Sequence, residues 1–404
     1  MAVTGSITTR FIDETGLDLG KTLIEKDYLI SVYPNIVNQL DTPMLMVWGS
    51  NTLGELGDNT TTKRSSPVQT VAYGSNWKKI VLGVGHAIAI KSDGTLWCWG
   101  ANATCGQLGD NTTTARSSPV QTVAFGSNWM DCSANAQRTA ATKTDGTLWC
   151  WGRNDSGQLG DNTITYRSSP VQTIAFGTNW KQVSCGGYFT AAIKTDGTLW
   201  CWGNNSFGQL GDNTRTSRSS PIQTVAFGTN WMQVSCGDYH TVATKKDGTV
   251  WCWGYNSYGQ MGDNTTTHKS SPVQTVAFGT NWKQVSCGWR TVFGIKTDGT
   301  LWGWGDNGNG QLGDNTTTHR SSPVQTVAFG TNWKQVAGGS VYTSAIKTDG
   351  TLWNWGINSS GELGDNTTTN KSSPVQTILY GNNWKNLGAF NGSSANAAIK
   401  DGDF

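Results

Sequence analysis

Two carboxylates stand first among the residues able to do acid–base chemistry. Glu55 and Glu362 are the glutamates of residues 44–404, and both sit in a G-E-L-G phrase whose other copies read G-Q-L-G or G-Q-M-G. A pair of this kind suits glycoside hydrolysis, in which one carboxyl group protonates the leaving oxygen and the other serves as base or nucleophile. The plainer expectation is a Gln-to-Glu exchange on an exposed turn. Histidine offers less. His86 and His240 share one repeat position that other copies fill with Arg138, Phe189, Thr291, Tyr342 and Ser393, so no shared metal ligand is expected there. With no G-x-S-x-G elbow and no H-E-x-x-H, the sequence predicts no catalytic residue, metal or cofactor.

Recognition is the other chemistry these residues offer. Arg64, Arg116, Arg167, Arg218, Lys269, Arg320 and Lys371 each precede a Ser-Ser-Pro. Gathered on one face, they would draw an acidic glycan, a nucleic-acid backbone or a protein patch. The alternative is a solvated cation paired to the nearby Asp. Near-identical copies disagree after each W-G, reading SNTL, ANATC, RNDS, NNSF, YNSY, DNGN and INSS, and again just before each cation. A held framework with varied loop tips suits a binding surface. Arg153, Tyr166, Phe207, Tyr255, Tyr258, His268 and His319 are therefore the candidate contacts, fit to stack on a surface glycan or a protein receptor.

The elements that must position them follow from a repeat. LGDNT, or MGDNT in one copy, recurs with Gly57, Gly109, Gly160, Gly211, Gly262, Gly313 and Gly364 in register, a period of about 51 residues that marks a repeat architecture. Each unit holds four β-prone runs, such as Pro-Val-Gln-Thr-Val, Trp-Lys-Gln-Val-Ser-Cys, Thr-Ala-Ala-Ile-Lys and Thr-Leu-Trp-Cys-Trp. Lys-Thr-Asp-Gly-Thr between the last two is a hairpin signal, because Gly accepts positive φ. Antiparallel strands with both faces apolar, repeated radially, predict an all-β, seven-bladed β-propeller with four strands per blade. The 51 Gly and 21 Trp fit that class. The nine Cys are odd in number, include no C-x-x-C and mostly sit at repeat positions, as in WCWG, which marks small core residues rather than disulfides.

WGNNSFGQLG at 202–211, V-x-C-G and D-G-x-x-x-x-W-G resemble the blade signature of the regulator of chromosome condensation family over about residues 44–404. The resemblance implies the propeller. The family's best-known member exchanges nucleotide on the small GTPase Ran through a β-wedge and grips chromatin with a basic tail. Here the insertion is one residue near Cys105 and the tail is acidic, with three Lys or Arg against six Asp or Glu in residues 1–43.

Residues 1–43 read as an arm that caps the propeller or docks it onto a protein of a larger assembly. Leu23, Ile24, Tyr28, Leu29 and Val32 fall at helical spacing ahead of Pro34. Gly16 to Thr22 misses the phosphate-loop spacing by one residue. The N-terminus lacks a signal peptide pattern and no apolar run approaches a membrane span, so a soluble protein made in the cytoplasm is expected, with no membrane insertion and no nucleic acid.

The chain ends on KDGDF, a hairpin without its second strand, and Leu45, Met46, Val47 and Trp48 align with the missing Leu-Trp-Cys-Trp. Pairing of this N-terminal strand with 397–400 would close the ring and remove an open sheet edge. The leading expectation is a non-catalytic recognition propeller on a virion, as a phage decoration, fibre or tail appendage. The alternatives are a regulator similar to the chromosome condensation family acting on a GTPase or other protein, and a carbohydrate-binding or carbohydrate-active propeller.

Overall fold

The structure, a computed structural model, describes residues 43–401 apart from 72–75, 124–125, 175–176, 226–227, 277–278, 328–329, 380 and 391–392. The proposed anchor residues of the arm and the near-phosphate loop lie outside the described residues.

Each blade is a four-stranded antiparallel sheet whose second and third strands are joined by the tight Asp-Gly hairpin. In the third blade the order is Trp180–Cys185, Phe189–Lys194, Leu199–Gly203, Arg218–Gln223, running from the axis outward. Blades begin likewise at Trp77, Trp129, Trp231, Trp282 and Trp333. The outermost strand starts at the cation, Arg218, rather than at the proline the sequence indicates, because Gly203↔Arg218 pair ahead of a register shift. Pro221 is tolerated there because that strand is an edge with no outer neighbour to receive its N–H. The alternation of strands gives the ring two ends. One carries the first-to-second and third-to-fourth connections and is called here the loop face. The other carries the Asp-Gly hairpins and is the hairpin face.

Tryptophan holds blade to blade. Trp180 and Trp202 are buried and meet edge to face at 6.0 Å, a favoured aromatic geometry. Trp202 Nε1 donates to the Gln158 carbonyl of the preceding blade at 3.0 Å. The Gly of LGDNT is required by this contact: Gly160 has φ +71°, and a Cβ there would lie 2.7 Å from Trp202 Nε1. The same Trp-to-carbonyl bond closes every junction, including Trp99 to Glu55 at 2.9 Å and Trp48 to Glu362 at 2.8 Å. The cysteines are all free and buried, and burial pushes the Cys132 and Cys236 thiols up to about 12.

Along the axis the innermost strands enclose a polar cavity of about 210 Å³. Gln182 Nε2 donates to the Val234 carbonyl and Gln182 Oε1 accepts the Val234 N–H, both at 3.1 Å, so one side-chain amide does the pairing of a missing strand. Gln233 repeats this on Val285. In the first two blades the glutamine positions hold Lys79 and Asp131, which form an ion pair. Burial works to lower the Lys79 pKa, but the Asp131 carboxylate outweighs it and holds the ammonium above its usual value.

The ring closes with strands from both ends of the chain. Met44–Gly49 pairs with Ala395–Lys400 from Met44↔Lys400 to Gly49↔Ala395. The closure is larger than the one strand expected from KDGDF, because Arg64–Gln69 joins on the outside and the last blade takes two strands from each end. Ala389–Phe390 then pairs in parallel with the innermost strand of the first blade, Ala389↔Val81.

Candidate recognition surface

The third-to-fourth connection of each blade is a built loop. Asn205 is fully buried, its Nδ2 donating to Asp212 Oδ1 at 3.0 Å and to the carbonyls of Thr214 and Thr216 at 3.2 Å, while its Oδ1 accepts the Leu210 N–H at 3.0 Å. Asp212 accepts from the Thr214 hydroxyl at 2.7 Å and from the guanidinium of Arg218. Burial tends to raise the Asp212 carboxyl, but these bonds outweigh it and hold the pKa below the usual carboxylate range. The invariant N, D, T and cation of the repeat are thus consumed by the loop itself.

That arrangement decides the cation ring. Arg64, Arg116, Arg167, Arg218 and Arg320 pair with Asp58, Asp110, Asp161, Asp212 and Asp314, and Lys269 with Asp263 at 3.4 Å. The ring is neutralised, and among its members Lys371 alone forms no ion pair within the described residues. The exposed-turn expectation for Glu55 and Glu362 is corrected: both are buried. Glu55 accepts from the Ser50 hydroxyl at 2.7 Å and the Leu53 N–H at 2.8 Å, and Glu362 from the Ser360 N–H at 2.8 Å. Burial raises the Glu362 pKa. The two side chains brace loops at successive junctions, since their own carbonyls meet different tryptophans, Trp99 and Trp48. His86 and His240 are buried beneath the same face, and burial lowers both to about 4. Among the described residues no group of three side chains is placed to hold a metal ion.

The divergent side chains converge. Phe207 meets Tyr255 at 5.0 Å, His268 at 5.1 Å and Tyr239 at 5.3 Å. Tyr255 stacks on His268 at 4.9 Å, and Tyr258 meets His319 at 4.9 Å. Tyr239 stacks on Tyr188 at 5.8 Å, over which Arg153 lies at 4.9 Å. At the other end Arg290 donates to the Tyr258 hydroxyl at 3.0 Å and covers the Trp289 ring at 4.5 Å. The result is one continuous aromatic band across the loops of the second to fifth blades, edged by two arginines. Arg153 is held in part by Asp155 at 2.5 Å, and Tyr166 flanks it, 41% exposed. Both histidines accept a backbone N–H on Nδ1, from Asn256 at 2.9 Å and Asn307 at 3.0 Å, which fixes their rings. Among the described residues, five of the six exposed large apolar side chains (Leu53, Val84, Ile164, Tyr166 and Trp289) lie on this face, the sixth being Met232 on the other.

Four members of the band were not among the sequence candidates: Tyr188, Tyr239, Trp289 and Arg290. They come from the first-to-second connections, and their signal was present in the repeat as the three variable positions of C-G-x-x-x-T. Asp238 lies under them with its carboxyl raised by burial, and burial, with Asp238 beside it, pushes the Tyr239 hydroxyl up to about 12.

The sequence of residues 44–398 matches the RCC1-like domain family, and the chain belongs to it. The ultraviolet-B receptor UVR8 of Arabidopsis thaliana is 31% identical over 337 residues, 81% of this chain and 76% of that protein. The mitochondrial RCC1 domain-containing protein RUG3 of the same plant is 30% identical, across 67% of this chain and 63% of its own length. Human HERC2, an E3 ubiquitin-protein ligase, matches at 27% identity over only 7% of its length, so the ligase activity in its name does not carry over. Among solved structures, Prp20p of Saccharomyces cerevisiae superposes with a TM-score of 0.79 at 19% identity, covering 90% of this chain and 92% of that one. Human WBSCR16 gives 0.78 at 19% identity, with 90% and 100% coverage. These two likenesses concern the fold. The relatives overturn the expected virion appendage: they are plant, human and yeast proteins of the RCC1 kind, and the alternative of a regulator similar to the chromosome condensation family fits them better.

Proposed function

We propose that this propeller is a non-enzymatic regulator that binds a protein partner, a small GTPase or another regulatory protein, through its loop face. The observation that carries this reading is the aromatic band. Arg153, Phe207, Tyr255, Tyr258, His268 and His319, which differ between otherwise matching repeats, lie on one face, and there they join one band of touching side chains. Large rings half exposed, with arginines at the margin and a neutral surround, have the make-up of a protein-binding hot spot. Support for the partner class comes from the fold's neighbours: yeast Prp20p has binding properties toward Gsp1p and histones, and it has been solved with Kap60 bound. Residues 1–43 are proposed to tether the propeller to the assembly it serves, on the side away from the loop face, because Met44–Gly49 runs from the hairpin end toward the loop end.

The test is quantitative capture of partners by the full chain, compared with Phe207→Ala and Tyr255→Ala variants whose melting is unchanged, together with nucleotide-exchange assays on a panel of small GTPases. Loss of a specific partner in the variants supports the reading. Partner binding indifferent to both substitutions overturns it.

A further inference from the structure

The two ends of the ring differ in charge as well as in shape. Every arginine of the described residues stands at the loop end, where twelve cations are balanced by twelve carboxylates. The hairpin end carries lysine alone. Among the described residues the lysine second in five innermost strands, the lysine closing each of the seven second strands, and Lys246 make thirteen, against the six hairpin aspartates and Asp401, an excess of six positive charges.

Eleven of these lysines are of two kinds. Lys91, Lys143, Lys194, Lys245, Lys296 and Lys347 lie between two tryptophan rings each, as Lys194 does at 4.9 Å from Trp180 and 4.6 Å from Trp200. They are spent on the blade. Lys78, Lys181, Lys283 and Lys334 are exposed, and among the described residues no ion pair or hydrogen bond holds their ammonium groups. Lys385 is exposed too, paired with Asp401 at 2.5 Å. All five stand where the innermost strands begin, at five of the seven positions around the mouth of the axial cavity, with Met130 and Met232 at the other two. The hairpin aspartates form the outer rim. They are exposed, and their bonds to the following threonine, as Asp196 to Thr198 at 2.9 and 2.7 Å, lower their pKa and keep them charged.

We infer that the hairpin face is a second interaction surface, which receives an acidic polypeptide segment at the ring of lysines around the channel mouth. A positive centre inside a negative rim admits a narrow acidic chain. A flat anionic membrane would meet the aspartates first. Nucleic acid lacks a platform, because the tryptophans of this end are already covered by lysines and offer no free ring for base stacking. Lysine is suited to carboxylates presented in no fixed geometry, since its ammonium is a point charge on a flexible stem.

The probe is a fluorescein-labelled oligo-glutamate of 16 residues, titrated with the full chain at low ionic strength and followed by anisotropy. Phosphatidylserine vesicles and a 16-base-pair DNA duplex are run beside it. The account expects saturable binding of the peptide, weakened by salt. Binding should fall at least tenfold in the fourfold variant Lys78→Gln/Lys181→Gln/Lys283→Gln/Lys334→Gln and be unchanged in Phe207→Ala. Should the fourfold variant fail to fold, the pair Lys181→Gln/Lys283→Gln should show a smaller loss in the same direction. Absent peptide binding, equal binding by the lysine variants, or tighter binding of vesicles or duplex than of peptide overturns the proposal.

Discussion

The loop face and the hairpin face are built from the same repeats, yet they use them differently. At the hairpin end nearly every copy has the same Asp-Gly turn and the same lysine between two tryptophans, and the sequence there has little freedom. At the loop end the conserved residues, Asn205, Asp212 and Arg218 and their equivalents, are turned inward onto one another. The outward positions are left to vary. Constancy in this chain therefore marks what holds the ring, and divergence on the loop face marks the surface proposed to meet a partner.

Both faces depend on the tryptophan junctions. Trp202→Ala should lower stability by about 3–5 kcal/mol, as expected for a buried aromatic removed from a packed junction, and should unsettle both faces together in urea melts. Asn205→Ala separates them. It strips one loop of all the bonds made by that amide and should cost about 1–3 kcal/mol, with faster amide exchange at 204–217 and unchanged exchange at the 195–198 hairpin.

Acid separates the faces by charge chemistry. His86 and His240 have folded pKa values near 4, below the unfolded value near 6.5. The unfolded chain takes up the protons first, so their contribution is complete above about pH 6.5 and is lost as pH falls toward 4. The slope is about 1.4 kcal/mol per pH unit for each histidine. The hairpin aspartates, with lowered pKa, keep their contribution down to the carboxylate range and lose it only below. Melting followed from pH 7 to 5 should therefore fall, and His240→Phe, which borrows the residue of the Phe189 copy, should flatten the profile. The smallest effect on folding belongs to the band itself: Phe207→Ala should change stability by less than about 1 kcal/mol, as its ring is half exposed, while weakening partner binding about tenfold.

Much of this was legible in the sequence. The period, the four runs and the Asp-Gly turns fixed the blade, and the alignment of Leu45 and Trp48 with the internal copies located the seam. The second closing strand was harder to see because Arg64–Gln69 reads as the start of its own repeat, and only the outward order of strands assigns it to the last blade. Burial of Glu55 and Glu362 was hidden because a glutamate on a loop looks solvated, whereas these loops fold over the neighbouring blade's tryptophan. Phe207, Tyr255, Tyr258, His268 and His319 were recognisable by divergence alone. Their contacts were not, since residues such as Phe207 and His268, or Tyr258 and His319, meet only once adjacent blades are set side by side.

Hydrogen exchange of the full chain with and without its captured partner tests the central claim most directly. The account predicts protection concentrated at 186–189, 204–209, 237–240, 255–260 and 288–291. A complex in which these segments exchange as fast as in the free protein would contradict it.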